Sequence, residues 1–266
     1  MIKKKIIFHI GFRKTGTSSI QNYLAINKEL LLPNISVHPR SQVTSSWRSS
    51  IFRLMRSKSV ASYDEVEQEI IKASARLENN FHTKVMIISD ENLIAGLAFK
   101  STGETILDWT ENIVPLIEKH FKQFSLEFVV YTRDMPKWLL SCYNQAVKNN
   151  LETRSYEDWM KRCPDGFAWQ PQLGKINAQT TSPFHIIDMA DEVNSDLPFG
   201  HSLLRLAGLE DEEIAALEVP ARVNESVHSN ALALMRLINR ICISDKYKKR
   251  IKRAIEDNQE LFEMSR

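Results

Sequence analysis

Cysteine is scarce in this chain. The three present, Cys142, Cys163 and Cys242, are widely separated, odd in number and without CxxC spacing. They argue against a disulfide framework and against a structural metal site, and a reducing, cytoplasmic compartment is the expectation. Long apolar runs are lacking too, so no integral membrane segment is expected. Lys3, Lys4 and Lys5 followed by Ile6-Ile7-Phe8 imitate the start of a signal peptide. The run breaks at His9, Gly11 and Arg13, however, and no small-residue cleavage site follows, so it reads as a first core strand. An excess of one charge is also missing. With 35 Lys and Arg against 33 Asp and Glu the net charge is +2, and a nucleic-acid partner is not expected. Internal repeats, low-complexity tracts and a recognisable linker are absent. The expectation is one domain over residues 1–266, and a hydrophobic content of 43% is enough for its core.

What the chain does have is the stretch Ile6-Ile7-Phe8-His9-Ile10-Gly11-Phe12-Arg13-Lys14-Thr15-Gly16-Thr17-Ser18-Ser19-Ile20-Gln21. It reads as an apolar strand, a glycine-bounded turn and the start of a helix. Such a turn aims backbone N–H groups and the positive end of the helix dipole at one point, where an anion can sit. Gly11 and Gly16 let the backbone turn tightly, Lys14 adds a point charge, and Thr15, Thr17, Ser18 and Ser19 offer hydroxyls. The spacing departs from the nucleotide-hydrolase loop G-x-x-x-x-G-K-[ST]: Thr17 holds the lysine position, and Lys14 precedes the second glycine. The plainer reading is a strand-to-helix turn with capping hydroxyls.

Strand and helix signals then alternate. A helix is expected from Thr17 to about Leu32, with Ile20, Tyr23, Leu24, Asn27 and Leu31 near one face, and a short strand at Ile35–Val37. Residues 38–60 carry His38, Arg40, Trp47, Arg48, Arg53, Arg56 and Lys58 among many serines. They read as a solvated, irregular connection; the alternative is a surface for an anionic acceptor. A helix from Tyr63 to about Leu77 turns Val66, Ile70, Ile71 and Ala75 inward. Lys84–Ser89 is a near-continuous apolar run, as expected of a strand covered on both faces of a parallel sheet.

Asp90-Glu91-Asn92 follow at that strand's carboxyl end, where parallel sheets bind their ligands. Asp90 could hold Mg²⁺ for phosphoryl transfer, Glu91 could act as a general base, or Asp90 could simply cap the next segment. A helix is expected over 103–120, then a strand over 126–132 that runs into Arg133-Asp134-Met135-Pro136. Asp134 suits an N-cap and Pro136 the first helical turn. A strand-end Arg133 with Ser141 eight residues on would grip a phosphate by a planar fork and a hydroxyl. Residues 151–182 look less regular, with a helical piece near Tyr156–Lys161 and aromatics, Trp159 and Trp169, that either pack inward or cap a site. A last strand is expected at Phe184–Asp188 and a helix at His201–Leu206. Pro220–Ser229 contains Arg222, Asn224 and Ser226 before an apolar helix, which makes a small anion nest or ordinary capping. Ser244 to Arg266 reads as a basic, then acidic, solvated helix.

Lys-Thr-Gly-Thr-Ser-Ser after the first strand, followed in order by Tyr-Thr-Arg-Asp and Ser141, resembles the sulfotransferases that use 3′-phosphoadenosine 5′-phosphosulfate (PAPS), of the bacterial or carbohydrate-modifying type. The resemblance implies an α/β, three-layer P-loop fold: a central parallel sheet with helices on both faces, and a strand order that the sequence does not yield. It implies that Arg13, Lys14, Thr15, Gly16, Thr17 and Ser18 hold the 5′-phosphosulfate. Lys14 matches the catalytic lysine, Arg133 and Ser141 match the 3′-phosphate motif, and Arg222, Asn224 and Ser226 match the loop that closes over the donor. PAPS would be co-substrate, 3′-phosphoadenosine 5′-phosphate (PAP) the product, and no metal would be required. The chain departs from the cytosolic members in lacking their Thr-His-Leu-Pro strand end, where it has Ser-Asp-Glu-Asn. Glu91 is therefore the expected base and His9 a satisfied core histidine. A small-molecule or carbohydrate acceptor is expected, and its identity and the oligomeric state stay open. Two rival readings remain: a P-loop kinase using ATP and Mg²⁺ through Asp90, and a non-catalytic binding module on the same fold.

Overall fold

The computed structural model of the chain describes residues 3–40, 42–57, 59–94, 107–163, 167–220 and 227–262. Two compact units emerge, one comprising Met1–Asp134 and Gly166–Ala221, the other Met135–Asp165 and Arg222–Arg266. In chain order the first unit contributes β1 (Lys5–His9), α1 (Thr17–Ile26), α2 (Lys28–Leu31), β2 (Ile35–Pro39), α3 (Gln42–Ser57), α4 (Val60–Asn80), β3 (Val85–Ser89), α5 (Leu107–His120) and β4 (Ser125–Thr132). The second unit supplies α6 (Met135–Asn149) and α7 (Tyr156–Met160). The chain then returns to the first for α8 (Trp169–Asn177), β5 (Phe184–Asp188), α9 (Met189–Val193), α10 (His201–Leu206) and α11 (Asp211–Ala215). It ends in the second with α12 (Ser229–Arg240), α13 (Asp245–Glu256) and a short 3₁₀ helix over Gln259–Phe262.

All five strands run parallel in the order β2-β3-β1-β4-β5. Central β1 and its neighbour β3 are nearly continuous apolar runs because both their faces are covered. Ile6, Ile7 and Phe8 have no exposure. On one face Ile7, Ile87, Val129 and Tyr131 pack with Ile20, Tyr23 and Leu24 of α1, Leu203 and Leu204 of α10 and Ile214 of α11. On the other, Phe8 meets Phe128, Trp47 of α3 and Phe121, with ring centroids 5.8, 6.2 and 5.2 Å away. The fold is thus the expected α/β arrangement of a parallel sheet between two helical layers.

The largest departure from expectation is residues 38–60, which are not an irregular connection but contain β2's end and the sixteen-residue α3. Serines disguise the element, because their hydroxyls favour caps and turns. Here Ser49 and Ser50 bond back to the carbonyls of Ser45 and Trp47. Thr44, Trp47, Ile51 and Leu54 recur at helical spacing and are all buried. The expected first helix divides at Asn27. Its buried amide nitrogen donates to the carbonyls of Tyr23 and Glu218, each at 2.9 Å, and its oxygen accepts from the Glu218 N–H, in competition with helical continuation. On α4, Val66 and Ile70 face inward as expected, but Ile71 and Ala75 are exposed and Ala73 and Leu77 take their places. Residues 169–177, expected to be irregular, form α8.

Among the described residues, the regular elements of the second unit are all helices. Tyr143, Tyr156 and Trp159 form a ring cluster with centroids 5.4–6.3 Å apart, so Trp159 packs inward. Asn239 of α12 donates to the carbonyls of Val147 and Glu152, and buried Lys252 of α13 donates to Val147, which ties both helices to α6.

Trp47 is 1% exposed and joins α3 to the sheet. Trp47→Ala should lower unfolding free energy by about 3–5 kcal/mol, measured by urea denaturation. A loss below about 1 kcal/mol would be that of a solvated connection and would contradict the packing of α3.

Candidate functional site

At the carboxyl end of β1 the ladder persists for one residue, the Ile10 N–H donating to the Val129 carbonyl at 3.0 Å. Gly11 follows where a Cβ would lie 3.2 Å from the backbone nitrogen of Tyr131. Lys14 adopts a left-handed backbone with φ 71°, uncommon for a residue with a side chain and of the sort that collects at ligand clamps. Gly16 immediately precedes α1 and is also left-handed, at φ 83°; a Cβ there would fall 2.4 Å from the Phe199 ring. Having no side chain, Gly16 places no cap over the first-turn amides of α1, which therefore suit an anion.

The hydroxyls of the loop divide into two groups. Thr15 and Thr17 are buried and turn toward the Phe12 carbonyl, Thr15 donating at 2.5 Å and Thr17 at 3.4 Å, so they brace the loop from within. Arg13 and Ser18 are exposed and Lys14 is half-buried. Phe12 is itself buried against the ring of Trp169, 5.0 Å away, and the Trp169 indole donates to the Arg133 carbonyl at 2.7 Å. Trp169 thus couples the loop after β1 to the end of β4, a role that its place in a stretch read as irregular did not reveal.

The next strand end is the most heavily bonded part of the site. Register pairs Pro39 with Ser89 and Ser89 with His9, so Arg40, Asp90 and Ile10 sit level at the sheet's edge. Asp90 has no exposure. Its Oδ2 accepts from Thr44 at 2.9 Å and from Arg48, and its Oδ1 from the Asn92 N–H at 3.2 Å. Glu91, 4% exposed, accepts from Arg40 at 2.6 Å on Oε1 and from Gln21 at 2.9 Å on Oε2. Gln21 also donates to the Ser89 carbonyl at 3.1 Å, so the helix that begins at the glycine-bounded loop directly orients the carboxylate. Arg40 has a left-handed backbone, φ 45°, and its N–H donates to Ser89. Gln21 and Thr44 escaped sequence reading. A helical glutamine one turn beyond Thr17, and a threonine in step with Trp47, were the only signals.

His9 lies beneath this edge, fully buried. Its Nδ1 is 2.8 Å from the Ser89 hydroxyl, while Nε2 has no partner among the described residues. The histidine is therefore half satisfied, and burial pushes its pKa down to about 3. Arg133 is half-buried at the end of β4. Ser141 lies on α6 of the second unit, half-buried, and Arg222, Asn224 and Ser226 lie outside the described residues. Among the described residues no three His, Cys, Asp or Glu side chains gather as a metal ion would require. An open cavity of about 230 Å³ lined by Asn34, Lys84, Gly208 and Glu213 lies at the opposite, amino-terminal edge of the sheet and takes no part in this constellation.

No protein-family model and no curated protein matches the chain. Among solved structures, that of a sulfotransferase from Alicyclobacillus acidocaldarius is similar to it over 96% of this chain and 94% of that one, with 12% identity and a TM-score of 0.48.

The buried His9 makes stability pH-dependent. Its folded pKa lies below the unfolded value of about 6.5, so between those two values the unfolded chain binds the extra proton and stability falls as pH falls. This group alone should contribute a slope of about 1.4 kcal/mol per pH unit across pH 6 to 4. By NMR the His9 ring should stay neutral throughout that range. A ring that titrates near 6.5 in the folded protein would contradict its burial.

Proposed function

We propose that the chain transfers a sulfuryl group from PAPS to an acceptor hydroxyl, leaving PAP. The observation that carries this reading is the uncapped loop Gly11–Thr17, with Lys14 in a left-handed conformation, on the same helix whose Gln21 holds Glu91. In the reaction the acceptor oxygen bonds to sulfur as the bridging S–O bond breaks, and the electron pair of that bond goes to the 5′-phosphate. Charge grows on the departing oxygen, where a fixed cation stabilises most. Lys14 takes that role. The loop amides and the side chains of Arg13 and Ser18 hold the phosphosulfate, and Thr15, Gly16 and Thr17 keep the loop in shape.

Glu91 accepts the acceptor's proton. Each carboxylate oxygen has one donor in place and one lone pair left, and Gln21 and Arg40 fix its direction. Arg133, Ser141, Arg222, Asn224 and Ser226 are assigned to the 3′-phosphoadenosine end on the sequence resemblance alone. Lysine and arginine balance the donor's phosphates, so the reading requires no metal. A carbohydrate or glycolipid hydroxyl is the favoured acceptor class, since the base is a glutamate. The kinase reading is weaker, because Asp90, its metal ligand, is buried with both oxygens engaged by Thr44, Arg48 and Asn92.

The test is PAP release and ³⁵S transfer from labelled PAPS, with polysaccharide, glycolipid and phenolic acceptors offered in parallel. Lys14→Ala should lower transfer by about 10²–10³-fold with an unchanged circular dichroism spectrum. Glu91→Gln should lower it by about 10²–10⁴-fold while PAP affinity stays the same. Full turnover by Lys14→Ala would overturn the assignment, and absence of transfer to every acceptor despite PAP binding would favour the binding module.

A further inference from the structure

In the second unit, α12 and α13 form a hairpin whose outer side belongs to neither its core nor the proposed chemistry. Ala231, Met235 and Asn239 form the buried face of α12, and Lys252 and Ile255 that of α13. Away from these faces stand Leu234 and Leu237 on α12, Ile241 and Ile243 in the turn that follows it, and Tyr247 and Ile251 on α13, each between 37% and 55% exposed. The spacings 234-237 and 247-251 set each helical pair on one helix side. Helix α13 carries six cations against Asp245 and Glu256. Lys252 is buried on the Val147 carbonyl and Lys248 donates to Asn239. Lys246, Lys249, Arg250 and Arg253 are exposed, and none makes an ion pair among the described residues.

We infer that this hairpin docks on the surface of an anionic phospholipid bilayer. Branched aliphatic side chains and a tyrosine beside a lysine- and arginine-rich face suit the interface, where the apolar groups enter the acyl boundary and the cations meet lipid phosphates. Nucleic acid would engage the cations but leaves no role for six exposed apolar side chains, and protein interfaces are depleted in lysine. No described helix is long and apolar enough to cross a membrane, and the contact inferred here is a peripheral one. The inference does not depend on the proposed sulfuryl transfer.

The experiment is sedimentation of the full chain with vesicles of phosphatidylcholine alone and of phosphatidylcholine with about one third phosphatidylglycerol. Binding is expected only to the anionic vesicles, with release as salt rises from about 0.1 to 0.5 M. Replacing Lys246, Lys249, Arg250 and Arg253 together by Gln should lower the partition coefficient at least about a hundredfold, near fivefold per charge. Leu237→Ser with Ile241→Ser and Ile243→Ser should lower it about tenfold or more. These positions are exposed, so unchanged melting midpoints verify the fold; if a variant does not fold, the salt dependence of the unaltered chain decides. Equal binding to both vesicles, no binding to either, or unchanged binding by the Gln variant would overturn the inference. So would preference for a DNA duplex, or self-association by light scattering that the serine variant abolishes, in a chain that does not bind vesicles.

Discussion

Asp90 and Glu91 stand side by side at the end of β3 with almost no exposure, and adjacent carboxylates can be buried there only because guanidinium groups come to meet them. Both cations lie in one segment, Arg40 just past β2 and Arg48 on α3. The pairing therefore fixes where β2 ends, how α3 leaves the sheet and which face it presents. Trp47, next to Arg48, then fills the space over Phe8. Gln21 adds the third tie, from α1 to Glu91, so the helix that follows the glycine-bounded loop and the strand end that carries the carboxylate share one polar network. Removing either arginine would leave a charge uncompensated in a dry environment, which is where such changes are most damaging.

That network also divides the two carboxylates by role. Asp90 has no exposure and three donors, Thr44, Arg48 and the Asn92 N–H, against two on Glu91, which suits a structural post. Glu91 sits on the outer side, with one partner, Arg40, at 47% side-chain exposure, so the contact that orients it lies at the solvent boundary. Arg40 holds a left-handed backbone to reach it, at a cost of about 1–3 kcal/mol that the surrounding bonds offset. Lys14 shows the same kind of strain past the end of β1, on the other side of β3. Two non-glycine residues with positive φ, one on each side of the proposed reacting centre, are consistent with a framework arranged to present side chains rather than to minimise local energy.

Where the sequence was readable, the reason is local. Runs such as Ile6–Ile10 and Val85–Ser89 have no polar face because both sides are covered, and a glycine-bounded turn announces the passage from β1 into α1. Breaks at Pro33 and Asn34, and the strand-to-helix change at Arg133, carry their own signals. What could not be read is what depends on distant pairs. Arg48 and Asp90 are 42 residues apart and leave no periodicity. Helix α3 was hidden for the same reason, since its buried stripe includes Thr44, polar and recognisable as inward only once Asp90 is beside it. The hydroxyls of Thr15 and Thr17 looked like ligand donors in sequence, yet the turn folds them onto Phe12. Glu91 was singled out because of its place at a strand end; its partners were not.

The central claim is that the chain binds a 3′-phosphorylated adenine nucleotide, with the loop after β1 on its 5′-phosphate, and thermal unfolding tests it most directly. PAP, ADP and ATP would be compared, each with Mg²⁺ and with EDTA. At a hundred times its Kd a ligand stabilises by about 2.7 kcal/mol, which for a chain of this size raises the midpoint by about 5–10 °C. The account predicts such a rise with PAP alone, undiminished by EDTA and lost in Lys14→Ala. A rise with ATP that requires Mg²⁺, or none with PAP, would contradict it.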